Sequence, residues 1–204
     1  MEMGNQFIGS IGALEHSIAH AELTAELSYD IIFNLGYPRR EAELAAIAGY
    51  LHDIGNLIHR YRHGTWGAIM VFEILSEMGM DPEEVTTIMG AIAHHEEQAG
   101  GYSVSNVSAA VILADKSDVN HSRVRKNDAT SFTDRDRVNY AAKDSSLFIN
   151  AMERLIVMNL TIDTEVCSVM DYFEIFLTKM MMCKRAAEYL GCRFDLVIND
   201  VQLL

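Results

Sequence analysis

Proline is nearly absent from this chain of 204 residues, which has two in all and a single tryptophan. With so few helix breakers and half of its residues apolar, the chain is expected to bury a sizeable core with helix dominating. Cysteine is scarce too. Cys167, Cys183 and Cys192 are odd in number, lack C-x-x-C spacing and lie late in the chain, which argues against a disulfide scaffold and suits reduced, packed thiols. No apolar stretch approaches the roughly 18 residues of a membrane span, and no basic segment leads into an apolar one as in a secretory leader. A soluble, cytoplasmic protein with no membrane partner is therefore expected. Basic residues are outnumbered, 16 Lys and Arg against 29 Asp and Glu, for a formal net charge of -13. A surface of that sign is repelled by phosphate backbones, so a nucleic-acid polymer is not an expected partner. Any phosphate chemistry has to rely on a local site.

The apolar residues of Gly12 to Leu35 recur at three- and four-residue steps, which predicts a first helix stopped by Gly36. Arg39 to His52 reads as a second, buried helix broken by Gly55, and Trp66 to Met78 as a third. Asp81-Pro82-Glu83-Glu84 is a strong start signal for a fourth, which runs to about His95, and Asn106 to Val119 makes a fifth. After Asn120 a polar stretch follows through Asn139. Leu155 to Ile162 then reads as a strand, Ser168 to Leu190 as a helix ended by Gly191, and Phe194 to Leu204 as a last strand. The fold class is mainly α: a helical bundle over residues 1–125 with a small α+β region over 126–204 packed on it, its sheet short and antiparallel. Asp171 to Glu174 and the methionines Met180, Met181 and Met182 form the buried face of the late helix in this reading. The sheet is either a homodimer interface or a lid.

Eight histidines are present: His16, His20, His52, His59, His63, His94, His95 and His121. His52-Asp53 and His94-His95 fall at helix ends, where neighbouring side chains can be aimed into one cavity. Asp115 sits in the apolar run V-I-L-A-D-K, where a lone buried carboxylate is costly without a cation. Imidazole and carboxylate together suit first-row metals such as Fe, Mn, Ni, Co or Zn. Open positions on such a metal hold water, whose pKa falls toward neutrality so that hydroxide becomes available as a nucleophile.

The order His20, His52-Asp53, His63, His94-His95, Asp115 within five helices resembles the HD-domain superfamily of metal-dependent phosphohydrolases over about residues 14 to 120. The run HAELTAELSYDIIFNLG also resembles that family's first helix, which favours His20 over His16. Position by position, the resemblance implies that His20, His52, Asp53 and Asp115 bind one metal. As in the two-metal branch, it implies that His63 with one or both of His94 and His95 holds a second, bridged by Asp53, so two divalent ions are expected. His59 competes with His63, which fits the family's placement better. His16 is one turn before His20, and His121 follows the fifth helix in a basic segment.

The activity so implied is hydrolysis of a phosphomonoester or phosphodiester by a metal-bound hydroxide, with a nucleotide or another small phosphorylated metabolite as substrate. Asp53 and Lys116 are the catalytic candidates, Lys116 because it follows Asp115 as in the D-K pair of several relatives. Residues 116 to 143 carry seven Lys and Arg against four Asp, a local +3 in an acidic chain. Lys116, Arg123, Arg125 and Arg137 are the candidates for substrate phosphate, since a guanidinium chelates phosphate oxygens with two hydrogen bonds. Two departures weigh against cyclic di-GMP: Asn56 stands where H-D-x-G-K has lysine, and Ser103 follows Gly101-Tyr102 where that branch has proline. An alternative is a di-iron oxygenase, since a small branch of the superfamily has this ligand order. A third is a metal-stabilised regulatory module without activity.

Overall fold

The computed structural model describes residues 1–97, 100–126 and 128–203. Its first helix, α1 (Glu2–Ser10), lies outside the sequence reading, because with Gly4 and Gly9 in it and only Gly4 and Ile8 buried it carries almost no apolar stripe. Gly12 takes φ +80°, so the next helix starts later than expected: α2 spans Ile18–Asn34, leaving His16 on the loop before it. Next come α3 (Arg39–Leu51), α4 (His63–Glu77) and α5 (Pro82–His94). The start of α5 is fixed by Asp81, whose carboxylate accepts hydrogen bonds from the amides of Glu83 and Glu84. In α6 (Asn106–Ser117) every residue from Val107 to Ser117 is buried. That follows from its place, packed against α2, α3, α5 and α8 at once, and it leaves Asp115 largely buried.

The polar stretch after Asn120 contains a helix the sequence reading lacks, α7 (Asp134–Ala141), started by a reciprocal capping box between Thr133 and Asp136. It leads into β1 (Ala142–Asn150), which pairs antiparallel with β2 (Leu155–Ile162). The long helix α8 (Val169–Tyr189) opens on a Ser168–Asp171 capping box. Beyond it, β3 (Arg193–Ile198) and β4 (Val201–Gln202) replace the single expected final strand. Asn199 and Asp200 both take positive φ and turn the chain there.

The mainly helical class with a small C-terminal sheet holds, but the sheet is mixed. Its order is β1-β2-β3-β4, and the pair β2–β3 is parallel. The reason is α8: its 21 residues span roughly 30 Å, enough to return the chain to the end where β2 began. Met180 and Met182 of α8 are buried, whereas Met181 is exposed, since consecutive helical residues point about 100° apart. One hydrophobic cluster runs from Ile31 and Ile32 through Ile92, Ile112 and Leu113 to Met158, Phe176 and Cys183, joining bundle and sheet. All three cysteines are free and buried. Among the described residues no helix is long and apolar enough to cross a membrane.

Gly55 decides how the bundle meets itself. It lies in a short 3-10 turn, Ile54–Leu57, and does not itself end α3, which stops at Leu51. A Cβ there would lie 1.9 Å from the carbonyl oxygen of His63 and 2.5 Å from the amide nitrogen of Gly67. Only a glycine lets the turn after His52-Asp53 close against the start of α4.

Candidate metal centre

Each polar side chain of the centre comes from a helix end. His20 is in the first turn of α2, His52 is the residue capping the C-terminus of α3 with Asp53 beside it, and His63 opens α4. His95 caps α5 and Asp115 lies in the last turn of α6. The three helix-terminal histidines thereby bond a carbonyl of their own turn through Nδ1: His52 to Gly49 at 2.7 Å, His95 to Ile92 at 2.7 Å and His63 to Arg60 at 3.0 Å. His20 uses Nδ1 on the carboxylate of Asp118 at 2.6 Å. Carbonyl and carboxylate oxygens only accept, so Nδ1 carries a hydrogen in all four rings, and in the neutral ring Nε2 carries the lone pair.

Those lone pairs face one another. The Nε2 atoms of His20 and His52 are 3.3 Å apart, and those of His63 and His95 are 3.0 Å apart. Neither pair is satisfied unless a proton or a metal cation lies between its members. Asp53 stands between the pairs, with Oδ2 3.2 Å from His52 Nε2 and 3.8 Å from His20 Nε2, and Oδ1 3.2 Å from His63 Nε2. Asp115 Oδ1 approaches His20 Nε2 at 3.5 Å and His52 Nε2 at 3.7 Å. Although Asn56 donates to Asp53 Oδ1 at 2.8 Å, Asp53 Oδ2 is buried with no hydrogen-bond partner. An orphaned carboxylate oxygen facing converging imidazole lone pairs fits a cation and little else. Two overlapping sets, His20-His52-Asp115 and His52-Asp53-His95, each bring one donor atom per residue within 4.8 Å of the others.

The electrostatics agree. Burial works against ionisation of Asp53, yet the neighbouring His52 and His16 hold its carboxyl well below the usual carboxylate range. The same opposition of burial by Lys116, His20 and His52 holds Asp115 down. His63 is raised to about 9 against its burial by Asp53 and Glu96, whereas burial and the charges of His63 and His52 keep His95 well below its ordinary value. The opposite shifts of these two facing rings favour positive charge on the His63 side of the pair.

The other sequence candidates separate cleanly. His94 is exposed and turned away, its Nδ1 on the Gly90 carbonyl of its own helix. His59 and His121 are exposed as well. His63 and not His59 reaches the cluster. Lys116 does reach it, with Nζ 2.5 Å from Asp115 Oδ2, and Arg123 is buried beside Asp118. Arg125 instead ties down the N-terminal segment through Ala13 and Asn5, and Arg137 pairs with Asp134 on the exposed face of α7. Neither lines the cavity that opens over the histidines. That cavity, of about 450 Å³, is lined by Asp53, His63, His95, Asp115, Lys116 and Arg123 at its depth, and further out by Arg60, Arg135, Thr178 and Lys179.

Two contributors, Asp118 and Glu96, go unread in the sequence, which marks His16 only as a neighbour of His20. Asp118 orients His20 and lies one turn past Asp115, a spacing that points to the same helix face. Glu96 accepts from the amides of Arg62 and Gly64 and so fixes the start of α4. His16, on the loop before α2, also lines the cavity, with Nε2 3.9 Å from Asp53 Oδ2.

A helical bundle whose helix ends aim buried imidazoles and carboxylates into one cavity has donor groups that could hold a metal ion. Residues 13–174 match the HD domain family, and the chain belongs to that family, whose members are mostly metal-dependent phosphohydrolases. The match extends past the helical bundle through β1 and β2 into α8. A comparison with curated proteins finds none that matches.

Proposed function

We propose that the protein is a metal-dependent phosphohydrolase acting on a small phosphorylated metabolite. The observation that carries this is the orphaned Asp53 Oδ2 between two facing imidazole pairs at the floor of a cation-lined cavity. His20, His52 and Asp115 would hold one divalent transition ion and His63 and His95 a second, with Asp53 within reach of both sets. When bound, such ions supply the Lewis acidity that yields hydroxide at neutral pH and offsets charge on the phosphoryl oxygens.

The chain's own groups do the rest. Asp118 and the carbonyls of Gly49, Arg60 and Ile92 lock the rings so that every Nε2 points inward. Asn56 holds Asp53 by Oδ1 and leaves Oδ2 free. In place of the lysine common at that position, Asn56 thus has a positioning task on the shared carboxylate. Lys116, beside Asp115 and open to the cavity, offers its ammonium to a phosphoryl oxygen, with Arg123 nearby on the same wall.

Reconstitution with manganese, nickel or iron and assay against aryl phosphates and a panel of small phosphate esters tests the reading. Turnover that depends on added metal and is lost in Asp53→Ala supports it. If no ester is cleaved with any metal, while anaerobically prepared ferrous protein consumes oxygen with an organic substrate, the protein is a di-iron oxygenase and the hydrolase reading is wrong.

A further inference from the structure

The metal cluster and Lys116 account for one phosphoryl group, yet the cavity continues outward to a second set of cations. Arg135 of α7 and Lys179 of α8 both line it, and both lie against the buried ring of Phe176, at 5.9 Å and 4.4 Å from its centroid. Their situation differs from that of the inner cations. Lys116 is held by Asp115, Arg123 by Asp118, and Arg60 by the side-chain oxygen of Asn56. Neither Arg135 nor Lys179 has a carboxylate partner among the described residues. Of the lining acids beyond the cluster, Asp136 is taken by Lys126 and Thr133, and Glu96 by the amides that open α4, which leaves Glu97. Burial first, and then the charges of Lys116, Arg123 and Arg135, push the pKa of Lys179 down to about 7 against the pull of Asp115. Among the described residues no Phe, Tyr or Trp lines the cavity, so only imidazole and guanidinium faces are there for a ring to stack on. Its volume, about 450 Å³, is that of a site for a whole organic molecule rather than for one phosphate ion.

The geometry points to a second anion subsite formed by Arg135 and Lys179, and hence to a substrate that is a phosphate ester whose alcohol carries a further phosphate or a carboxylate. This rests on the hydrolase reading for the first phosphate only. An ion pair formed in such a partly desolvated place is stronger than one on the surface. Neither residue holds metal or touches the histidine cluster, so their part is to select and place the substrate.

The test compares matched pairs in the metal-reconstituted protein: a hexose bisphosphate against its monophosphate, and 3-phosphoglycerate against glycerol 3-phosphate. The doubly anionic member of each pair is expected to show about 10-fold or greater higher kcat/KM. Lys179→Met and Arg135→Met should each reduce that preference by about 10- to 100-fold, mostly through KM, and Lys179→Arg should restore most of it. Calorimetric titration of the metal-stripped protein with the hexose bisphosphate reads the subsite without catalysis, and Lys179→Met should weaken that binding. Melting temperature serves as the control for folding. Removal of an uncompensated cation leaves it unchanged or raises it, so a lowered value would mark Lys179 as structural and overturn the assignment. Ester turnover that is indifferent to the second anion overturns the subsite and leaves the hydrolase reading standing. Bisphosphate binding that falls in Lys179→Met without any ester turnover does the reverse.

Discussion

Replacing Asp53 with asparagine removes one negative charge and almost no volume, which makes Asp53→Asn the cleanest perturbation of the centre. The hydrogen bond from Asn56 to Oδ1 can survive, so the fold should persist. What changes is the attraction for cations beside His52 Nε2 and His63 Nε2, each 3.2 Å from an Asp53 oxygen. Two unit charges 4 Å apart interact by about 4 kcal/mol at an effective dielectric constant of about 20, which is about 1000-fold in metal affinity. Metal at 100 times the wild-type dissociation constant stabilises the native state by about 2.7 kcal/mol. For a chain of this length that raises the melting temperature by about 5–10 °C. At the same metal concentration the variant gains under about 0.1 kcal/mol, so the shift should vanish. Thermal melts with and without manganese read this directly. An Asp53→Asn protein with the wild-type metal-induced shift would refute the role given to the orphaned oxygen.

Three further outcomes follow from the same geometry. His95→Ala should lose bound metal and activity while His94→Ala keeps both, as measured by metal content and turnover; equal losses would mean that α5 ends with a different rotation. His63 has a metal-free pKa of about 9, above its ordinary 6.5, so its proton stabilises the metal-free fold fully below pH 6.5 and ceases to do so as pH rises through about 9. Metal uptake at pH 7.5 should therefore release protons, and His63→Ala should release about one fewer per chain, measurable by calorimetry in buffers of different ionisation enthalpy; an unchanged release would remove His63 from the ligand set. Gly55→Ala sets a methyl against the His63 carbonyl and should destabilise by 3 kcal/mol or more in urea unfolding, roughly the upper end for overpacking; a cost under about 1 kcal/mol would show that the close approach is not needed.

The sequence made the centre legible through the order of its histidines and aspartates along helices of readable apolar periodicity, with Asp115 conspicuous inside the apolar run V-I-L-A-D-K. The choice between His94 and His95 was also within reach. Val85, Ile88 and Ile92 are buried in α5, and the same three- and four-residue steps lead to His95, while His94 continues the outer face. The phosphate candidates fared worse because they were chosen by closeness in sequence. Arg125 and Arg137 lie in the basic stretch, but whether a side chain reaches the cavity depends on the phase of α7, which turns Arg135 toward it and Arg137 to Asp134. Lys179 arrives from a helix more than 60 residues beyond Asp115, and only the packing of α8 on α6 brings them together. The parallel pair β2–β3 was implicit in a strand, a long helix and a strand in succession, a connection that returns the chain before the next strand starts.

Anomalous diffraction from crystals of the manganese-reconstituted protein tests the central claim most directly. The account predicts two peaks per chain, one against the Nε2 atoms of His20 and His52 with Asp115, the other against those of His63 and His95, both within bonding reach of Asp53. Peaks elsewhere, or none after reconstitution, would contradict it.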